Sequence, residues 1–273
     1  MSHTLWIDGA PVARRQPHDL YAAVTNHPAI VASARALIDR GRVRTTVPHD
    51  PANVYVFQKE IAVVARPRNG IIGSDRATTC HILIVSSPRK VCCAHLDGSP
   101  GQIQDLGLTL SIAFEEESEF DVHVIGGFDD ERGLSVALGR ELLAELEGWP
   151  DERVNLKTAC IGPLNTASGP TPIIRALALD LRSNELLANA WFHDRGPYAE
   201  LRAAGACFSY MPLRDAIEPP GALTVPDRRY LEHLLAIKDD RMLLQLTSTS
   251  PDAEHTEYCD ELRATIRYVL GMK

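Results

Sequence analysis

The chain has little that would carry it into a membrane or onto nucleic acid. No run among its 273 residues approaches the ~18 consecutive apolar positions that a membrane-spanning helix needs. No basic, then apolar, then small-residue pattern opens it, so the expected compartment is a reducing one, the cytoplasm. Its six cysteines lack the spacing of a disulfide framework, and Cys92 and Cys93 are adjacent, so all six are expected as free thiols. Zinc loops of the Cys-x2–4-Cys type are missing too, which leaves Cys80, Cys93 and His95 as a poor set of metal ligands. An excess of positive charge is also absent. With 28 Lys and Arg against 36 Asp and Glu, the net charge of −8 argues against nucleic acid or an anionic membrane as partner. Internal repeats and low-complexity segments do not occur.

What remains is an ordinary globular composition, 45% hydrophobic and 23% charged, enough to bury a sizeable core. The pattern predicts strands at Thr4–Gly9, Val54–Phe57, Ile61–Val64, Phe120–Ile125 and Val154–Ile161. A hairpin is expected from Ala176–Leu181 and Leu186–Phe192. Helices are expected over Pro28–Ile38, from Asp129 or Asp130 to Leu146 with Glu131 in the first turn, and from Asp194–Pro197 onward. Further helices are expected over Asp227–Ile237, Asp240–Leu246 and Thr256–Leu270, with residues 208–226 irregular. Many strands with peripheral helices point to an α+β fold with a sheet core, a two-layer sandwich, as a single domain spanning 1–273.

The stretch Gly73–Gly98 concentrates the chemistry. Polar, turn-forming residues from Ser74 to Thr79 form an expected loop leading into Cys80. His81–Val85 and Lys90–His95 read as a hairpin joined by the four residues Ser86–Arg89. Pairing Val85 with Lys90 sets Cys80 directly opposite His95, with Ile82, Ile84, Val91 and Cys93 behind them on one face. A one-residue slip would separate the two. In contact, an imidazole lowers a thiol pKa, so the expected resting state is thiolate–imidazolium, a nucleophile at neutral pH. The other five cysteines read as packing side chains. His81 falls on the opposite face, as a packed or exposed residue. Gly126-Gly127 reads as a turn, with close backbone approach to a substrate as the alternative.

Several segments resemble the protein N-terminal asparagine amidohydrolases: Gly73–Ile82 (GSDRATTCHI), Cys92–Ser99 (CCAHLDGS), Val122–Ser135 (VHVIGGFDDERGLS), Phe192–Ala204 (FHDRGPYAELRAA) and Thr247–Glu254 (TSTSPDAE). They stand in that family's order and cover most of the chain. The resemblance implies an enzyme that converts a protein's N-terminal Asn to Asp without a cofactor. It also implies that the acidic product feeds arginyl-transfer machinery and regulated degradation. The partners implied are proteins or peptides with a free N-terminal Asn. A further resemblance, to chemotaxis-receptor and cytotoxic-necrotizing-factor deamidases, implies a Cys–His deamidase-like fold and a third group orienting the imidazole. Ser74 fits that role, with Asp75 and Asp97 as rivals and a plain turn as its alternative.

On this reading Cys80 is the nucleophile and His95 the general base and acid. Backbone N–H groups near Thr79 and Cys80 stabilise the oxyanion. A carboxylate must pair with the substrate's α-ammonium; Asp75, Asp194 and Glu254 lie in the matching motifs. Each of the three can equally serve as a salt bridge or helix cap. A cysteine peptidase or general amidase and a non-catalytic reader of protein N-termini are the rival classes. The fifteen-residue Cys-to-His spacing is unlike papain's separation of roughly 130–150 residues.

Overall fold

Alternation along the central hairpin decides the architecture. Leu83, Val85, Cys92, Ala94 and Leu96 enter one core, while Cys80, Ile82, Ile84, Val91 and Cys93 enter another. A sheet whose two faces are both apolar needs a cover on each side. The computed structural model describes residues 5–12, 20–149, 153–169, 171–208 and 226–272. Most of the stretch expected to be irregular, 209–225, lies outside the described residues, as does Thr4 of the first expected strand.

The central sheet has seven strands in the spatial order Ala10–Pro11, Leu5–Ile7, Arg153–Ile161, Glu119–Gly126, His81–Ser86, Lys90–Leu96, Ile61–Ala65. Arg153–Ile161 runs parallel to both of its neighbours, and the other pairings are antiparallel. One face packs on helices Leu20–Thr25, Gln102–Ala113 and Leu134–Gly148 through Val24, Leu106, Leu110, Leu142 and Leu146. The other shares a core with a four-stranded sheet, ordered Leu186–Ala188, Leu177–Asp180, Ile71–Ser74, Val54–Tyr55, and with helix Pro28–Arg40. Ala190–Phe192 pairs in parallel with Thr45–Val47. Helices Arg228–Ala236, Asp240–Thr247 and Tyr258–Leu270 enclose a core of their own around Leu231, Leu243, Leu262 and Ile266. Among the described residues, no helix is long and apolar enough to cross a membrane. Mixed helices and sheets agree with the α+β expectation.

The hairpin register differs from the expected one. Ile82, not Cys80, lies opposite His95, and His81 pairs with Leu96. The cause is the turn. Ser87 N–H donates to Lys90 O at 2.9 Å, which tightens the loop to Pro88-Arg89. The Ser87 hydroxyl holds it by accepting from the N–H groups of Arg89 and Lys90. A shift of two residues preserves side-chain parity, so Cys80 and His95 stay on one face as diagonal rather than direct neighbours.

Other boundaries moved for local reasons. Ser74 closes a strand instead of opening a loop. Val54–Tyr55 and Ile61–Ala65 belong to different sheets, because the chain turns between them at Lys59, whose φ is 68°. The expected strand Leu186–Phe192 divides at Asn189, φ 55°, whose side chain donates to Gly41 O. Asp130 accepts from Leu134 and Ser135 N–H, so it caps its helix from across the turn 131–133, and Glu131 precedes that helix. The helix after Asp194 waits until Ala199, because Gly196 and Tyr198 take positive φ. Helix Gln102–Ala113 adds to the expected elements; Ile103, Leu106, Leu110 and Phe114 carry its helical period. All six cysteines are free thiols; five are buried, but Cys207 is exposed and does not pack as expected.

Candidate functional site

Cys80 ends the loop that follows strand Ile71–Ser74, immediately before strand His81–Ser86. Its carbonyl accepts from Gly127 N–H at 2.8 Å, and a Cβ on Gly126 would stand 2.3 Å from that same oxygen. The glycine pair is therefore a close approach to the backbone of Cys80 itself. Any side chain at Gly126 would displace the strand start. His81 is fully buried on the opposite face, beside Gly127, Ser135 and Gly139, as its alternation predicts.

His95 is held from three directions. Its carbonyl accepts from Lys59 N–H at 2.8 Å, and its N–H donates to Glu60 O at 3.1 Å. Glu60 is anchored in turn by Arg202, a buried ion pair with N···O of 2.6 Å that ties helix Ala199–Phe208 to this turn. The ring meets Ser74, with Oγ to Nδ1 at 2.7 Å. The Ser74 hydroxyl has one proton, and Val56 O lies 2.5 Å away to receive it. Nδ1 must therefore donate to Ser74, which assigns the tautomer and leaves the lone pair on Nε2. That atom is buried and has no hydrogen-bond partner among the described residues.

The rival acids are occupied elsewhere. Asp75 accepts from Tyr55 OH at 2.8 Å and Phe192 N–H at 3.0 Å, with Arg195 at 3.4 Å and Arg76 at 3.6 Å. Asp97 accepts from Gln58 and from the N–H and hydroxyl of Ser99, with Lys59 at 3.8 Å. Of the three candidates for the group that orients the imidazole, Ser74 is the one on the ring.

Burial sets the protonation states, and it reverses the expected ones. It pulls the His95 imidazole down to about 4. It pushes the Cys80 thiol well above its usual range, and the carboxylates of Asp97 and Glu254 add to that shift. Both shifts favour a neutral thiol and a neutral imidazole over the expected thiolate–imidazolium. The apolar wall of Ile82, Ile84 and Cys93, which the sequence suggested would strengthen an ion pair, instead removes the water that would solvate one.

The four substrate-binding candidates separate clearly. Asp75 is fully enclosed by the partners above. Asp194 is half-exposed, accepts from Gly196 N–H at 2.8 Å and pairs with His49. It is thus a loop cap. Thr79 is buried, and its hydroxyl meets that of Thr249 at 3.1 Å. Glu254 is mostly buried, and its charge reaches Cys80. One of its oxygens, Oε1, accepts from Ser248 at 2.5 Å; the other, Oε2, lies 3.9 Å from Nδ1 of the His255 ring. The loop carrying Glu254 joins the loop before Cys80 again through Ser250 to Thr78 at 3.0 Å, and the helix that follows it, Tyr258–Leu270, joins the same loop through the Arg76–Glu261 ion pair. Sequence reading missed these last contacts. Hydroxyl pairs between distant loops carry no periodicity, and only the motif Thr247–Glu254 hinted at them.

Known proteins supply the context for this geometry. The model of the family described as "Protein N-terminal asparagine amidohydrolase" matches residues 43–272. A mouse protein of that name is 33% identical over 286 positions, covering 97% of this chain and 88% of its own. A human protein of the same name is 32% identical over 286 positions, with the same coverage. A pig protein, likewise named, is 32% identical over 283 positions.

Proposed function

The chain belongs to the protein N-terminal asparagine amidohydrolase family, and from that membership we propose that it hydrolyses the side-chain amide of an N-terminal Asn, with Cys80 as nucleophile. The observation that carries this reading is the Ser74–His95 hydrogen bond, which leaves Nε2 as a free base in a buried site containing a thiol. As Cys80 sulfur bonds to the amide carbon, its proton passes to His95 Nε2 and the carbonyl electrons move onto oxygen. Backbone N–H groups at Thr79 and Cys80 stabilise that oxyanion. The imidazolium returns the proton to nitrogen, the C–N bond breaks, and ammonia leaves a thioester. Water, deprotonated by the same Nε2, attacks the thioester and leaves Asp and the thiol. On this reading the site is of the Cys–His deamidase type, and its product is a protein with N-terminal Asp, the form suited to arginyl transfer.

Glu254 is the α-ammonium anchor in this scheme, because its Oε2 faces a nitrogen at 3.9 Å rather than a closed set of donors. Four peptides alike beyond their ends test the assignment: Asn-, Gln-, acetyl-Asn- and Gly-Asn-initiated. Acetylation deletes the charge that Glu254 pairs with, an unpaired buried partner costing about 2–5 kcal/mol, more than about thirtyfold. Gln moves the amide carbon by about one bond length, and misplacement near 1 Å costs on the order of a hundredfold. Equal turnover of acetyl-Asn and Asn would leave only a general amidase.

The neutral resting pair makes a distinct pH prediction. No alkaline fall should arise from an imidazolium, because His95 titrates near 4. The value of kcat/KM should instead fall on the alkaline side as the substrate's own α-ammonium deprotonates, near ~8. Measuring the profile with a substrate whose amine pKa is altered decides this: the alkaline limb should move with the substrate. A limb fixed by the enzyme would restore the thiolate–imidazolium pair.

A further inference from the structure

The side chain that fixes the anchor is as informative as the anchor. Ser248 Oγ donates to Glu254 Oε1 at 2.5 Å and accepts from Ser250 N–H at 3.0 Å. Its proton is thereby committed to the carboxylate, and one face of that carboxylate is closed. The arrangement repeats, on a second loop, what Ser74 does for His95: a serine occupies one atom of the functional group and leaves the other open. Ser248 is the C-cap residue of helix Asp240–Thr247, and its N–H donates to Leu244 O, so its backbone is fixed by a helix end. Tyr258 secures the same helix end by donating to Thr247 O.

We propose that Ser248 is the positioning residue for α-amine recognition, holding Glu254 with Oε2 turned toward the substrate's ammonium. This rests on the reading of Glu254 as the anchor. Ser248 does not touch the reacting atoms, so its effect falls on binding a charged amine and not on the chemical step.

The charged and titratable groups around Glu254 come from several elements. Arg175 approaches from the chain before strand Leu177–Asp180, Cys80 from the nucleophile loop, His255 from the next position, and Tyr258 and Cys259 from helix Tyr258–Leu270. Burial raises the Glu254 carboxyl, and the Ser248 hydrogen bond and Arg175 pull it back down. Loss of the Ser248 hydroxyl removes one of the two interactions that oppose that rise.

The test uses the full-length protein, an Asn-initiated peptide and the same peptide capped by a succinamoyl group, which keeps the side-chain amide but lacks the amine. Ser248→Ala should raise KM for the Asn peptide about tenfold, the usual loss for a hydrogen bond to a charged group, while kcat stays within about twofold. The acid limb of kcat/KM for that peptide should move to higher pH, and Ser248→Thr should restore both values. Turnover of the succinamoyl peptide should not change. An unchanged KM in Ser248→Ala, or an equal loss on both peptides, overturns the proposal, since the second pattern marks general damage to the loop. Glu254→Gln separates the two levels. If it leaves KM for the Asn peptide unchanged, the anchor itself is wrong; if it raises KM while Ser248→Ala does not, only the positioning role fails.

Discussion

Replacing Cys80 by Ala is expected to abolish ammonia release from an Asn-initiated peptide, a loss on the order of ten-thousandfold or more in kcat. Cys80→Ser should be nearly as inactive, because a hydroxyl is a far harder group to deprotonate in a site that already disfavours charge. His95→Ala removes a buried base nitrogen that has no hydrogen-bond partner among the described residues, on the thiol's face of the sheet, and about 10²–10⁴-fold is the usual contribution of such a base. Ser74→Ala is the discriminating variant. It leaves His95 Nδ1 and Val56 O without their shared partner, so the ring is free to turn or change tautomer. The expected loss is about ten- to a hundredfold, in kcat rather than KM, since Ser74 orients the base and touches no substrate. Cys93→Ala, on the same face but within the sheet, should keep kcat within a few-fold. Circular dichroism and a melting curve on each variant separate chemistry from folding. A folded Cys80→Ala protein retaining even one per cent of wild-type turnover would falsify the nucleophile.

Much of this was legible because β-structure has a period of two. Alternation from Cys80 to Val85 and from Val91 to His95 assigned each residue to a face, and those assignments survive even though the register moved. The register itself depended on whether Ser87 would bond back to Lys90, a side-chain choice that no hydrophobic pattern encodes. Helix starts failed for a related reason. Asp130 does satisfy helix N–H groups, but from beyond a turn containing Gly133 at φ 66°, so the capping residue was visible and its distance was not. At the site, the shared face of Cys80 and His95 and the meeting of Ser74 with the His95 ring were readable, whereas the direction in which burial shifts the thiol and imidazole was not. Burial on the face that carries Ile82 and Ile84 is cooperative: it depends on the four-stranded sheet closing over that face. Glu254 stood among three equal candidates in sequence. Only the folded chain shows that Asp75 spends its oxygens on Tyr55, Phe192 and Arg195, and Asp194 on Gly196 N–H and His49.

That same burial should make the protein fragile in mild acid. His81 and His95 are enclosed, and burial pulls both imidazoles to about 4. His123 and His255, less deeply placed, are likewise drawn down to about 4. In the unfolded chain each takes up a proton as pH falls below about 6.5, while the folded chain refuses it until near 4. The stabilisation from excluding these protons is complete above ~6.5 and is lost progressively as pH falls towards 4. For His81 and His95 the loss is on the order of 3 kcal/mol each, against a usual total of about 5–15 kcal/mol. Asp97 and Asp130, held below the ordinary carboxylate range by hydrogen bonds, extend the loss to still lower pH. Glu254 and Glu145, raised by burial, act in the opposite sense and soften it. Urea unfolding at pH 7, 6, 5 and 4.5 should show the midpoint falling steeply below pH 6.5. His81→Gln, which removes one titrating group from the helix-covered face, should flatten that slope by about one proton, or ~1.4 kcal/mol per pH unit. Should His81→Gln be too unstable to purify, proton NMR of the wild-type histidine rings provides the second measurement, since the buried rings should stay neutral at pH 5.5. Stability independent of pH between 7 and 4.5, or ordinary titration of all the rings near 6.5, would mean that water reaches His81 and His95, and the neutral resting pair at Cys80 would fall with that result.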